Sequence, residues 1–357
     1  MNGNGLNPAG ASARGIRVSR RGGLVAVLVA ATICQSAQAQ QITLKFSHFV
    51  PATHGMQTDF IEPWAKALSE KTGGKVKVDI HAANSAFGNT ARQADQVKAG
   101  ATDIALGLRG IPRGRFERTS IFELPFVVGD AHSGSKAVWD LYKDGTLKSD
   151  YEGFKVLALT THHGGLIHTR SKPVQSLEDL KGLRLRTPSD TVSAMLSFLG
   201  ASPVGLPPGQ IYENMQKNVI DGLVTTWDLV SWSKLNELVK FHTDARMYTA
   251  VFYVVMDQKR FDALPPDVQK AVDELSGDAL VAQFGPWWDK WDADGLADAK
   301  ARGNQIIPVS DEQRRQWRQQ LQPMINEYLA DLERKGVKDA RAIYEKAQAR
   351  VAAHAKT

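Results

Sequence analysis

Cysteine is almost missing from this sequence. Of 357 residues only Cys34 is one, and no thiol follows it. A disulfide framework is excluded, and so is a cysteine-built metal centre. Long apolar runs are missing too. No stretch reaches the roughly 18 uninterrupted apolar residues of a membrane-spanning helix, so the chain is not expected to be membrane-embedded. Acidic residues are absent from positions 1–39, where Arg14, Arg17, Arg20 and Arg21 stand alone. Without those four charges the formal net charge of +6 falls to +2. The remainder has no charge excess that would ask for nucleic acid or an anionic membrane. Catalytic signatures are missing as well: there is no G-x-S-x-G elbow, Walker A loop or H-E-x-x-H pair. Ser133 to Lys136 has S-x-x-K spacing and Lys71-Thr72-Gly73 reads K-T-G. Their order is inverted and the middle element is missing, which discounts a penicillin-recognising enzyme.

What is present begins with an address. The basic start leads into "LVAVLVAATIC" (24–34), followed by Ala37-x-Ala39. This is the layout of a secretory signal cleaved after Ala39, and it predicts a soluble, exported protein. Arg20-Arg21 leaves twin-arginine export open beside the general route. Cys34 would leave with the signal, and Ile33 before it argues against a lipid anchor.

The remaining chain is too long for one small core, so two lobes are expected. "ITLKFSH" (42–48) alternates and reads as a strand. Met56, Phe60, Trp64 and Leu68 recur every four residues, one face of a helix stopped by Gly73-Gly74. A strand over 75–81, a helix capped by Asn89 and a strand over 102–108 complete a β-α-β-α-β opening, the pattern of a parallel sheet covered by helices. A helix near 131–149 and a strand over 154–160 precede "HHGGLIHT" (162–169), whose Gly164-Gly165 pair marks a crossing between lobes. The second half repeats the theme, with helices near 190–199 and 209–217. "AVFYVVMD" (250–257) reads as a buried central strand. Beyond Pro265-Pro266 the pattern is helical, with Ser310 and Gln313 as a capping pair.

The candidate chemistry sits in "LEDLKGLRLRTPSD" (177–190). Arg184 and Arg186 alternate with Leu183 and Leu185, so both arginines share one face of a short strand. Either both are surface residues, or one forks onto a carboxylate. Trp227 follows a strand end, where α/β sheets place ligands, and reads as ligand wall or core. Trp287, Trp288 and Trp291 read as helix packing. His162, His163 and His168 lack a nearby preceding carboxylate, so they read as loop residues of a polar interface rather than zinc ligands. No metal and no cofactor are expected.

"SLEDLKGLRLRTP" resembles a segment of the solute-binding proteins of tripartite ATP-independent periplasmic (TRAP) transporters. Three further segments resemble that family in the same order: "GRFERTSIFELPF" (114–126), "LGASPVGLPPGQIYENMQKNVIDG" (199–222) and "FDALPPDVQKAVDELSG" (261–277). The resemblance implies an α/β, two-lobed periplasmic binding protein fold with crossing hinge strands and a long C-terminal helical region. The expected division is a signal peptide over 1–39, lobe I over 40–162 plus 250–290, and lobe II over 163–249 plus 291–357. It implies a periplasmic protein that is not an enzyme, captures an organic carboxylate and passes it to TRAP membrane permease subunits. A binding protein of an ATP-driven importer and a secreted α/β hydrolase remain alternatives. The resemblance makes Arg186 the bidentate carboxylate anchor and leaves Arg184 at the rim or in a structural pair. Thr225 stands where some members have a carboxylate-binding Asn, and Leu166 falls near a second arginine of others. Together with the apolar Phe49 and Trp227, these departures favour a monocarboxylate with an apolar or aromatic body, or a 2-oxo acid. Ser189, Asn89, Arg109 and His48 are candidate secondary polar contacts.

Overall fold

The computed structural model describes residues 41–355. The expected signal over 1–39 lies outside the described residues. The described residues form one compact unit built on two sheets.

Strand β1 (Ile42–Ser47) is followed by a π-helical turn (Met56–Ile61) that runs into helix α1 (Glu62–Lys71). Met56, Phe60, Trp64 and Leu68 are all buried, as their spacing predicts. The segment stops at Gly73 and Gly74, which take φ of 60° and 79°, a region glycine enters without strain. Strand β2 (Val76–His81), helix α2 (Gln93–Lys98) and strand β3 (Ile104–Leu108) follow. Both β2 and β3 pair parallel to β1. Helix α3 (Ala131–Lys143) leads to strand β4 (Phe154–Thr161).

The chain then enters the second sheet through β5 (Leu166–Thr169), β6 (Arg184–Thr187), α4 (Asp190–Phe198), β7 (Ser202–Gly205) and α5 (Ile211–Gln216). It continues through β8 (Gly222–Thr225), α6 (Trp227–Trp232) and β9 (Phe241–Asp244). Strand β10 (Val251–Asp257) returns to the first sheet, inserted antiparallel between β3 and β4. Its first six residues are buried, as befits a strand flanked on both edges. Helices α7 (Gln258–Asp262), α8 (Pro266–Glu274), α9 (Asp278–Val281) and α10 (Phe284–Ala301) precede the edge strand β11 (Gln305–Pro308). Helices α11 (Asp311–Arg334) and α12 (Ala340–His354) close the described chain. The first sheet has the order β2-β1-β3-β10-β4 and the second β11-β9-β5-β8-β6-β7.

Two short segments cross between the sheets, residues 162–165 and 245–250, and they bond to each other; a third, longer connection runs through α7–α10 to β11. Gly165 N–H donates to Tyr248 O at 2.7 Å, and Met247 N–H to Gly165 O at 3.2 Å. A Cβ on Gly165 would lie 2.1 Å from the Tyr248 ring, so only glycine admits that ring. Gly295 plays the same part between helices: its Cβ would lie 2.2 Å from Trp227 O, and its absence lets α10 lie on α6.

Helix α12 packs on α3, beside the first sheet, while α11 lies along α4. Lys346 pairs with Asp144 at 2.8 Å and His354 Nε2 lies 2.8 Å from Asp140 Oδ2, so polar contacts as well as apolar packing hold α12 there. The short strands β9 and β11 carry no alternation strong enough to be recognised in the sequence.

Candidate functional site

Residues from both sheets surround one cavity. Phe49 and Val50 follow β1, Leu108 ends β3, Pro188 follows β6, and Thr225 and Thr226 end β8. These are carboxyl ends of strands, where α/β sheets leave a crevice for ligands. The walls are aromatic: Phe49, Trp232, Tyr248, Phe252 and Trp288 all line the space.

Arg186 is the cation of this cavity. It is 1% exposed. Its Nε donates to Leu206 O at 2.9 Å, and its Nη2 is buried without any partner. No carboxylate pairs with it among the described residues. Burial pushes the guanidinium down to about 10, because the charged form loses its hydration and gains no counter-ion. A buried cation with a free donor is a costly arrangement unless an anion is to be placed beside it.

Arg184, two residues earlier, meets the opposite fate. Its Nη2 donates to Asp221 Oδ1 at 2.5 Å and its Nε to Oδ2 at 3.0 Å. Asp221 also accepts the Arg184 backbone N–H at 2.9 Å. The two arginines lie on alternate positions, but a strand advances about 3.3 Å per residue. Two steps carry the chain from solvent at Arg184 to the buried cavity at Arg186.

Arg109 is equally buried but compensated. Its Nη2 donates to Glu123 at 2.5 Å and to Asp190 at 2.7 Å, and those two carboxylates hold its proton more firmly than usual. It does not line the cavity. Neither do four other candidates from the sequence. Ser189 caps α4 by accepting the Val192 N–H. Asn89 is exposed and accepts the Ala91 N–H. His48 faces Gln57 at 2.9 Å, and burial pushes its imidazole down to about 4. Trp227 packs instead with Leu166 and Ala299, with the rings of His168 and His242 centred 5.3 and 4.8 Å away. Of the sequence candidates, Arg186, Thr225 and Phe49 come together at the cavity.

The three histidines of 162–168 go to three places. His162 lies against Tyr248, Phe252 and Trp288. Its Nε2 accepts the Ala250 N–H at 2.9 Å and its Nδ1 bonds His163 O. Burial pushes it down to about 3, so it is a neutral wall of the cavity. His163 pairs with Asp289 at 3.0 Å. His168 bonds His242 between Nδ1 atoms at 2.7 Å. No group of three or more metal-ligating side chains occurs among the described residues.

Several lining residues escaped sequence reasoning. Tyr248 and His54 sit in loops without periodicity. Trp288 read as helix packing; it is buried, but its indole Nε1 has no partner and its ring faces the cavity. Phe252 belongs to the apolar run of β10, where no pattern separates a core position from a pocket wall.

Residues 46–331 match the family model described as bacterial extracellular solute-binding protein, family 7. A TRAP solute-binding protein from Rhodoferax ferrireducens, solved with copurified benzoate, superposes with a TM-score of 0.84 at 32% identity, covering 88% of this chain and 99% of that one. A marine metagenome TRAP solute-binding protein from an unidentified microbe, described as specific for aromatic acids and solved with 3-hydroxybenzoate, gives a TM-score of 0.84 at 30% identity, with 88% and 99% covered. The Comamonas testosteroni protein TsaT, named an outer membrane transporter protein, is 28% identical over 91% of this chain and 96% of its own length. With the family model spanning most of the chain and the two-lobed fold shared, the protein belongs to the family 7 bacterial extracellular solute-binding proteins, the solute-binding component of TRAP transporters.

Proposed function

We propose that this protein captures an aromatic monocarboxylate in the periplasm and delivers it to TRAP membrane permease subunits. One observation carries the reading: a fully buried Arg186 with an unpartnered Nη2 and no counter-ion, in a cavity walled by aromatic rings. A guanidinium fork pairs with a carboxylate in two parallel hydrogen bonds, and the rings supply flat apolar faces for an aromatic body. The benzoate and 3-hydroxybenzoate of the two similar structures are ligands of the same chemistry. The lobes close around the ligand by a hinge at the crossing segments, because the contacts from both sheets exist together only when closed. The protein performs no turnover. A cleaved signal over 1–39 brings it to the periplasm. Family membership favours this reading over the ATP-driven importer and the secreted hydrolase.

The test is to denature the purified protein and identify what it releases by mass spectrometry. The expected species is a monocarboxylate with an aromatic ring. A sugar, a peptide or a dicarboxylate recovered near one per chain would refute the reading.

A further inference from the structure

The cavity holds a second charged group that the carboxylate reading leaves unused. Asp228, in the first turn of α6, lines it as Arg186 does, without pairing with that guanidinium. Its Oδ2 lies 2.9 Å from His54 Nε2. His54 Nδ1 accepts the Met56 backbone N–H at 2.9 Å, and a ring nitrogen that accepts carries no proton. The proton of the neutral imidazole therefore sits on Nε2 and is donated to Asp228. The pair needs no charge on His54, so it keeps the single negative charge of the carboxylate. One oxygen of Asp228 is spoken for, and Oδ1 makes no hydrogen bond among the described residues.

Asp228 is also held in place. Its backbone N–H donates to Asp292 Oδ1 at 2.8 Å, and Thr226 caps the helix by accepting the Leu229 N–H. The residue is 8% exposed. An ionised carboxylate accepts and cannot donate. Whatever a ligand places against Oδ1 must therefore bring a proton to share, and must not be an anion.

We propose that Asp228, positioned by His54, is a specificity-determining residue: the ligand's ring bears a hydroxyl that donates to Asp228, and a second carboxylate at that place is rejected. The proposal rests on Arg186 as anchor of the first carboxylate. It makes a hydroxybenzoate, rather than benzoate or a benzene dicarboxylate, the matching chemistry. A hydrogen bond to a charged acceptor in a closed site corresponds to roughly ten- to hundredfold in affinity. A second carboxylate would face a buried like charge instead. The same pair also ties the segment after β1 to α6, across the two sides of the cavity. A mere strap would weaken every ligand alike when cut, and that difference separates the two roles.

The test uses the exported protein, freed of retained ligand by unfolding and refolding. Calorimetry compares benzoate, 3-hydroxybenzoate, 4-hydroxybenzoate and benzene-1,3-dicarboxylate. The wild type is expected to bind one hydroxybenzoate at least about tenfold more tightly than benzoate, and the dicarboxylate most weakly. Asp228→Asn, of nearly the same shape, should bring the hydroxybenzoate to within about threefold of benzoate and strengthen the dicarboxylate. Equal wild-type affinity for benzoate and both hydroxybenzoates overturns the proposal without any variant. So does an equal loss for all four probes in Asp228→Asn. Arg186→Ala is run in parallel. If it leaves benzoate binding intact, the anchor reading fails, which is a separate outcome from a failure at Asp228. If none of the probes binds the wild type, both fall.

Discussion

Replacing Arg186 should make the empty protein more stable and the binding protein useless. Burial pushes the guanidinium down from its ordinary value to about 10, and each pKa unit corresponds to about 1.4 kcal/mol. The ionised side chain thus destabilises the empty fold by about 3 kcal/mol. The sign follows from linkage. A base whose folded value is depressed carries this penalty in full below the folded value, and it lifts only as pH rises through about 10. At pH 7 it is fully present. Arg186→Met removes the charge while filling much of the volume, so the ligand-free variant should melt higher than the wild type. Ligand binding tells the opposite story. In the closed cavity both charges are desolvated, and removing one strands the other, at about 2–5 kcal/mol. With 1.4 kcal/mol per factor of ten, Arg186→Ala should weaken binding at least about thirtyfold. Arg186→Lys should also bind poorly, since an ammonium keeps the charge and loses the fork. Arg184 is exposed and already paired with Asp221, so Arg184→Ala should stay within about threefold. Calorimetry with the released native ligand, and thermal melts of the ligand-free variants, decide the matter. A strong loss in Arg184→Ala with a mild one in Arg186→Ala would reverse the assignment. A lower melting temperature for Arg186→Met would refute the electrostatic argument.

Ligand should perturb tryptophan emission through Trp288 and Trp232, which line the cavity, and not through Trp227, which is packed against Leu166 and the His168–His242 pair. Trp227→Phe should leave the ligand-induced change intact and Trp288→Phe should remove much of it; the reverse would misplace the cavity. Burial beside Asp228 pushes the Asp292 carboxyl up to about 7. An acid raised in the fold contributes stability that is complete below its ordinary value of 3.8 and is lost as pH rises through about 7. Asp292→Asn should therefore gain about 2–3 kcal/mol on the wild type between pH 5 and pH 8, read by urea unfolding. An unchanged difference between the two pH values would mean that Asp292 is ionised in the fold throughout.

The sequence by itself determined the periodic parts of this protein. Met56, Phe60, Trp64 and Leu68 announced a buried helical face, the opening β-α-β-α-β announced the parallel core of the first sheet, and "AVFYVVMD" announced a strand flanked on both sides. These are local signals, because burial of one face imposes a period of 3.6 or 2 on the residues that form it. Four ordered motifs were also enough to mark the family. The alternation could not tell Arg184 from Arg186, since both sit on one face, and only the family resemblance singled out Arg186. Only the assembled fold sets one in solvent against Asp221 and the other in a cavity without a counter-ion. Nor could it join His54 to Asp228, which lie 174 residues apart and meet at 2.9 Å. Trp227, readable as wall or core, packs away from the cavity, and Trp288, read as helix packing, also lines it, for the same reason. A ring facing a cavity and a ring facing a core share one local pattern, and what lies on the far side is supplied by distant parts of the chain. Tertiary structure decided the chemistry of the site because desolvation and pairing depend on neighbours in space, which neither composition nor spacing along the chain records.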